Sequence, residues 1–255
     1  MRVHPALRAT VALAMTLAAT ILGVAVTATA AYADACYTWG RQLSQGMSGD
    51  DVRQLQLRVA GWSGYHDFVA VDGSYGTETA NAVKRFQSAY GLTVDGIAGS
   101  QTFNKLYALQ DDDCTPIHFS YNEMDDVCYG GWTGGPLSAS ATKANALRTM
   151  WKLEALRHAL GDHPLTVGGF RSYACNNAVG GASNSQHLYG LAADITSSSS
   201  TLCQIAKEAR YHGFSGILGP GYPDHNDHVH ADSRAENNDD GVTNSWSWSA
   251  PNCGI

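Results

Sequence analysis

Two stretches of this sequence crowd together residues that ligate metals or move protons. The first is Ser185-Gln186-His187-Leu188-Tyr189-Gly190-Leu191-Ala192-Ala193-Asp194, and the second is His225-Asn226-Asp227-His228-Val229-His230. In a strand, residues i and i+2 point to one face, so His228 and His230 project together while Val229 faces the core side. His187 and Asp194 then enter from a loop and the strand that follows it. Three nitrogen and oxygen ligands with one open position form the arrangement of a catalytic zinc. Calcium prefers all-oxygen shells, so the histidines favour one zinc ion. Zinc held in this way lowers the pKa of its water to about 7 and polarises a carbonyl. Lone histidines are usually structural, and His118, His158, His163 and His212 are read so; three histidines within six residues are read as a site. Spacing alone does not choose which histidine of the 228/230 pair binds.

Around this cluster stand candidates for the remaining chemistry. Gly168-Gly169-Phe170-Arg171-Ser172 places Arg171 just after a short strand-like run. A cation there neutralises the oxyanion of a tetrahedral intermediate or holds a substrate carboxylate; an ordinary salt bridge is the plain alternative. Asp227, His225 and His228 are the candidates for the general base, since a carboxylate or neutral imidazole accepts a proton from water. The Gly-x-Ser-x-Gly string of a nucleophilic serine does not occur. Sensitivity to chelators, and not to serine-directed β-lactam acylation, is therefore expected.

The elements that must position these residues follow from periodicity. Ser138 to Leu160 is helical, with Leu147, Met150, Trp151, Leu153, Leu156 and Leu160 on a broad apolar face and Gly161 as the stop. Thr201 to Phe214 reads as a second helix, with Leu202, Ile205, Ala206 and Ala209 on one face. Leu165–Phe170, Ile217-Leu218 and His228–Ala231 read as strands. Helices and strands without βαβ regularity indicate an α+β domain with an antiparallel sheet, assigned to residues 116–255.

The N-terminal half is different. Val71-Asp72-Gly73-Ser74-Tyr75-Gly76-Thr77-Glu78-Thr79 recurs as Val94-Asp95-Gly96-Ile97-Ala98-Gly99-Ser100-Gln101-Thr102. In both copies Asp-Gly makes a turn and Thr77 or Ser100 is expected to cap the helix that follows. Upstream, Ser48 and Asp51 suggest a capping-box-like start for a helix carrying Val52, Leu55 and Val59. The expectation is a small three-helix module over 34–110. Asp111-Asp112-Asp113, with Cys114 and Thr115, reads as a solvated linker over 111–115.

The chain has 255 residues, a formal charge of −7 and a pI near 5.7, which argues against nucleic acid as a partner. Arg2 and Arg8, the apolar run Val11–Val26 and Ala31-Tyr32-Ala33 read as a secretory signal peptide over 1–33. A retained membrane anchor is the competing reading, and the run is short for a spanning helix. After removal of the signal no membrane association is expected, and the mature chain is read as a monomer. The six cysteines form no C-x-x-C pair, and their even number in an exported chain favours disulfides. Spacing does not select the pairing.

Residues 40–109 resemble the peptidoglycan-binding module of bacterial cell-wall hydrolases. The matching residues are Gly46-Met47-Ser48-Gly49-Asp50-Asp51-Val52, Leu55-Gln56, the two VDGxxG copies and Val83-Lys84-Arg85-Phe86-Gln87. A helical spacer or prodomain without a ligand is the alternative. Tyr65, Tyr75 and Tyr90 belong either to a sugar-stacking surface or to the core.

The SxHxxGxAxD pattern of Ser185, His187, Gly190, Ala192 and Asp194, with the HxH of His228–His230, resembles the zinc peptidases grouped as lysostaphin, D-Ala-D-Ala carboxypeptidases and hedgehog. Domain order and cysteines are similar to the secreted zinc D-Ala-D-Ala carboxypeptidases of that group. The resemblance implies that His187, Asp194 and His230 hold the zinc, with His228 close by and not bound. It also implies the sequential disulfides Cys36–Cys114, Cys128–Cys175 and Cys203–Cys253. In related dipeptidases a carboxylate three residues before the second histidine is the general base, which points to Asp227. There the residue is glutamate, and the shorter aspartate leaves the base unassigned.

The activity implied is removal of the terminal D-alanine from peptidoglycan stem peptides, with D,D-endopeptidase action on crosslinks, by a secreted, extracellular enzyme held at the cell wall. Two alternatives stand beside it. One is a peptidase of other specificity (L-Ala-D-Glu, or a D,D-dipeptide hydrolase); the other is a non-catalytic wall-binding protein with a zinc.

Overall fold

Apolar residues at helical spacing close the N-terminal module around α1 (Asp50–Arg58), α2 (Thr77–Ala89) and α3 (Ser100–Ala108). Val52, Leu55, Val83, Phe86 and Leu106 meet in one fully buried cluster. The computed structural model describes residues 36–236 and 245–255, so the signal-peptide reading over 1–33 lies outside the described residues.

The internal repeat has a structural cause. Gln56 on α1 donates through Nε2 to Asp72 Oδ1, the Ser74 carbonyl and Thr79 Oγ1, while its Oε1 accepts from Gly73 N–H. Gln87 on α2 does the same one unit later: it donates to Asp95 Oδ1, the Ile97 carbonyl and Thr102 Oγ1, and accepts from the N–H groups of Asp95 and Gly96. Each VDGxxGxxT loop is thus clamped by the glutamine of the preceding helix. The expected caps differ from this arrangement. Gly76 and Gly99 occupy the N-cap positions without side-chain caps, and Thr77 and Ser100 are already helical. The glutamine fixes the loop from outside and leaves the cap position to glycine. Ahead of α1 the N-cap is Gly49, and the Asp51 carboxylate pairs with Arg41 at 2.6 Å.

The second half contains α4 (Tyr121–Met124), α5 (Ala139–Ala159), β1 (Thr166–Gly168), α6 (Tyr173–Ala178), β2 (Ala192–Thr196), α7 (Leu202–Ala209), β3 (Gly216–Leu218), β4 (Val229–Asp232) and β5 (Ser247–Ser249). Ser138 caps α5 by accepting from Ala141 N–H, and Leu160 closes it, as the sequence pattern indicates. α7 stops earlier than Phe214; Gly213 at φ 77° turns the chain toward β3.

The sheet order is β1-β2-β4-β3-β5. Pairings β1–β2, β2–β4 and β3–β4 are antiparallel, as expected, whereas β5 lies parallel to β3. The expected antiparallel sheet is present over β1, β2, β4 and β3, and β5 adds a parallel edge. The reason is topological. The chain leaves β4 at Asp232, opposite Gly216, and β5 starts with Ser247 opposite the same Gly216. β5 therefore runs against β4 and along β3. Its three-residue Ser-Trp-Ser pattern carries little strand signal. The core lies on one sheet face, where Ala193, Ile195, Ile217, Val229 and Ala231 meet Met150, Leu153, Ile205 and Phe214.

All three disulfides pair sequential cysteines: Cys36–Cys114, Cys128–Cys175 and Cys203–Cys253. Each closes a loop of 47 to 78 residues, a restriction of the unfolded chain on the order of 4 kcal/mol by loop entropy.

Residues 111–115 form a tight turn. Asp111 N–H donates to the Thr115 carbonyl, and Asp113 Oδ1 accepts from Thr115 Oγ1. The acidic side chains are exposed, but the two halves meet over a broad contact. Trp151 and Ala155 of α5 sit in the module's core cluster, and Gly61 packs so closely on α5 that a Cβ there would lie 2.6 Å from Ala155 Cβ.

Candidate metal centre

Register builds the site. Asp194 of β2 is the cross-strand partner of His230 on β4, and Leu218 of β3 flanks His230 on its other side. Alternation along β4 buries Val229 and Ala231 in the core and turns His230 and Asp232 to the opposite face. His187 arrives on a short 3-10 turn, Gln186–Tyr189, whose Ser185 accepts the His187 N–H. Gly190 ends that turn at φ 74°, and a Cβ there would meet the Thr142 carbonyl at 2.5 Å, so only glycine leads this turn into β2.

The three side chains converge. His187 Nε2 lies 3.0 Å from His230 Nδ1, and each lies 3.1 Å from Asp194 Oδ1. These separations approach the ~3.3 Å between tetrahedral vertices at zinc–ligand distances. Two imidazole nitrogens and one carboxylate, each with a lone pair toward a common point, are a donor set suited to zinc.

The layer behind them fixes the tautomers. His187 Nδ1 donates to the Gly169 carbonyl at 2.5 Å, which leaves Nε2 as the ligand atom. His230 Nε2 lies 2.8 Å from Asp232 Oδ2, so Nδ1 faces the centre. Asp232 is wholly buried and receives Nε and a terminal nitrogen of Arg234 as well. A Cβ at Gly216 would lie 2.3 Å from Asp232 Oδ1, so a glycine on β3 makes room for this pair. Asp232, Arg234 and Gly169 were not singled out by sequence reasoning. The signal was present for Asp232, because the i+2 spacing from His228 through His230 reaches it.

Electrostatics follow the same contacts. Burial would raise the Asp194 carboxyl, but facing His187 and His230 hold it far below the carboxylate range. Burial pushes His187 down. For His230 burial acts the same way, but Asp194 and Asp232 outweigh it and push the ring up to about 9. The two carboxylates thus favour positive charge at His230, carried by a proton or supplied by a metal.

The other predicted residues gather nearby. Arg171 pairs with Asp194, and its N–H donates to the His187 carbonyl. His228 Nε2 is 3.5 Å from Asp194 Oδ1, and the His225 ring lies tilted at 4.8 Å from that of His228. His225 Nδ1 donates to the Pro223 carbonyl at 2.6 Å, and burial lowers its pKa. Asp227 points outward, its side chain 89% exposed, and its Oδ1 lies 2.8 Å from His228 Nδ1. This contact lowers the Asp227 pKa. A cleft of about 560 Å³ exposes Arg171, His187, Asp194, His225, His228 and His230 together. A Ser-x-x-Lys string, Ser140–Lys143, opens α5, but Ser140 Oγ contacts Ser138 and Lys143 lies over the Tyr121 ring. That geometry does not make a nucleophile.

Residues 117–232 match the Peptidase M15 family, and residues 48–106 match the peptidoglycan binding domain. The zinc D-Ala-D-Ala carboxypeptidase of Streptomyces albus G is 57% identical over 226 residues, covering 87% of this chain and 84% of that protein. The N-acetylmuramoyl-L-alanine amidase CwlL of Bacillus licheniformis is 51% identical over 67 residues, which is 25% of this chain and 19% of that protein. Among solved structures, a peptidoglycan-binding protein from Clostridioides difficile in complex with glutamine hydroxamate is 37% identical, covers 26% of this chain and 39% of that one, and superposes with a TM-score of 0.23. Similarity to the Streptomyces albus G enzyme across most of both chains, with the match over 117–232, shows that this chain belongs to the Peptidase M15 family.

Proposed function

We propose that this protein is a zinc D,D-carboxypeptidase that hydrolyses the terminal D-Ala-D-Ala bond of peptidoglycan stem peptides and acts on D,D crosslinks as well. The observation that carries this reading is the meeting of His187 Nε2, Asp194 Oδ1 and His230 Nδ1 within 3.1 Å, in a chain 57% identical to a zinc D-Ala-D-Ala carboxypeptidase. His187, Asp194 and His230 would hold the zinc. When bound, zinc acidifies water and polarises the scissile carbonyl.

The chain's own residues supply the rest. Arg171 and Arg234 both line the cleft and both pair with a carboxylate, but Arg234 is held by the wholly buried Asp232 behind the centre, whereas Arg171 reaches Asp194 at the centre itself. Arg171 is therefore the cation that takes the substrate carboxylate or the oxyanion charge. His228 carries the proton. Its Nε2 is nearest the centre, and Asp227 accepts Nδ1–H, which leaves Nε2 free to take a proton from water and return it to the departing amine. Asp227 acts through His228 as a positioning residue. His225 stands behind with its Nδ1 proton given to Pro223. Residues 48–106 hold the enzyme on the wall and raise its effective concentration there. The wall lies outside the cytoplasm, consistent with export by residues 1–33, and the enzyme works as a monomer. No helix of the described residues is long and apolar enough to cross a membrane.

The test is incubation of the zinc-loaded protein with a stem pentapeptide ending in D-Ala-D-Ala, read by mass spectrometry. Loss of one D-alanine is expected. Cleavage between L-Ala and D-Glu would favour the alternative specificity, and an intact pentapeptide would overturn the reading.

A further inference from the structure

An aromatic surface spans the junction of the two halves. Tyr65 and His66 lie in the loop that follows Ala60–Trp62, and this loop is tied to the catalytic half: Gly64 N–H donates to the Tyr211 carbonyl, and His66 N–H to the Arg210 carbonyl. Tyr65 stands 5.1 Å from Tyr211 and 5.5 Å from Trp248. His66 stacks on Trp246 at 4.2 Å, and Trp246 meets Trp248 edge-on. Tyr65 is 55% exposed and Tyr211 43%. Among the described residues, Arg210 is the cation set over these rings, 5.7 Å over Tyr65 and 6.0 Å over Trp248.

Tyr65 and Tyr211 are exposed and Trp246 is half-buried, whereas Trp248 packs on the core with its Nε1 donating to the Phe214 carbonyl. Tyr75, by contrast, is buried with its hydroxyl on the Gly96 carbonyl, and Tyr90 is half-buried against Phe86 and His158. Exposed aromatic rings with little charge fit a ligand that has flat apolar C–H faces and polar edges, which describes a pyranose. The location adds a second argument. β5 is the sheet edge, and Ser247 lines the catalytic cleft while Trp246 and Trp248 alternate to the other face. Only one strand separates the rings from the cleft. An extended five-residue stem reaches about 17 Å.

We propose that Tyr65, Tyr211 and Trp246, backed by Trp248, stack the sugar rings of the glycan strand whose stem peptide occupies the cleft, so that the enzyme selects stems still attached to glycan over free peptides. This rests on the reading of peptidoglycan as substrate. The occupant is an N-acetylated pyranose chain, and its recognition needs no charge from the ligand.

The experiment uses the full zinc-loaded chain and two readouts. The first is kcat/KM for D-alanine release from a glycan-linked pentapeptide divided by that from the free pentapeptide. The second is tryptophan fluorescence during titration with a β-1,4 N-acetylglucosamine tetramer. Trp246→Ala and Tyr65→Ala are each expected to lower the activity ratio and weaken the tetramer about fivefold, with Trp246→Phe restoring most of both. Tyr65 is exposed enough that its truncation spares the fold. An unchanged ratio and unchanged tetramer affinity in Tyr65→Ala and Trp246→Ala would overturn the proposal. Equal losses on both peptides with unaltered tetramer binding would overturn it too, as would a shift in oligomeric state with the ratio intact. Absence of D-alanine release from either peptide by the wild type would instead defeat the substrate reading, and the tetramer titration would still decide the sugar site.

Discussion

The VDG loops and the histidine centre both hold a loop in place, yet they do so by opposite electrical means. In the module, one neutral glutamine per repeat fixes a loop with amide hydrogen bonds, and the exposed carboxylate it meets, Asp72 or Asp95, has its donors from that glutamine and from the loop's own backbone. In the centre, His187 and His230 face Asp194 with their lone pairs converging, and Asp232 and Arg234 sit buried behind. The first arrangement is complete by itself. The second gains most when a cation joins it. The lesson is that repetition of a glutamine clamp builds a scaffold, whereas two imidazoles converging on one carboxylate, backed by a second carboxylate, mark where a cation fits.

Variants that remove one kind of hold should leave the other intact. His230→Ala should reduce hydrolysis at least about 10³-fold, the several kcal/mol that zinc polarisation supplies, while wall binding by residues 48–106 persists in a pull-down with cell-wall sacculi. Retained hydrolysis would refute the ligand assignment. His228→Gln should lower kcat about 10²-fold with zinc content unchanged by elemental analysis; lost zinc would make it a ligand instead. Asp232→Asn should weaken zinc about 10- to 100-fold in chelator competition, and an unchanged affinity would make the Asp232–Arg234 pair purely structural. On the neutral side, Gln87→Ala should cost about 2 kcal/mol in calorimetric stability without altering zinc affinity. A coupled loss of zinc would show that the clamp and the centre are not independent. The smallest effect is expected for Asp227→Asn, about twofold to fivefold in kcat. A loss as large as that of His228→Gln would mean that Asp227 takes the proton itself.

The sequence exposed the site more fully than the frame around it. His187, Asp194, His228 and His230 were legible because metal chemistry restricts residue type and strand alternation restricts spacing. The long helix was legible from its caps and apolar face, and the module from its repeat. Other features depended on distant partners. Gln56 and Gln87 look like surface residues in a helical pattern, and nothing local shows that their amides reach the following loop. β5 escaped notice because three residues with serine at both ends carry no periodicity, and its direction depends on the path from β4. Asp232 was within reach of the alternation argument, but its burial depends on Gly216 leaving room on the neighbouring strand.

The close seat of Gly61 on α5 bears on how such proteins can be recombined. A wall-anchoring unit tethered by a loose string could be exchanged for another without redesign. Here Trp151 and Ala155 belong to the interior of one half and the backbone of the other. A chimera carrying a foreign anchor would have to reproduce that glycine seat, or it would strip solvent protection from the long helix and lose the peptidase with the anchor.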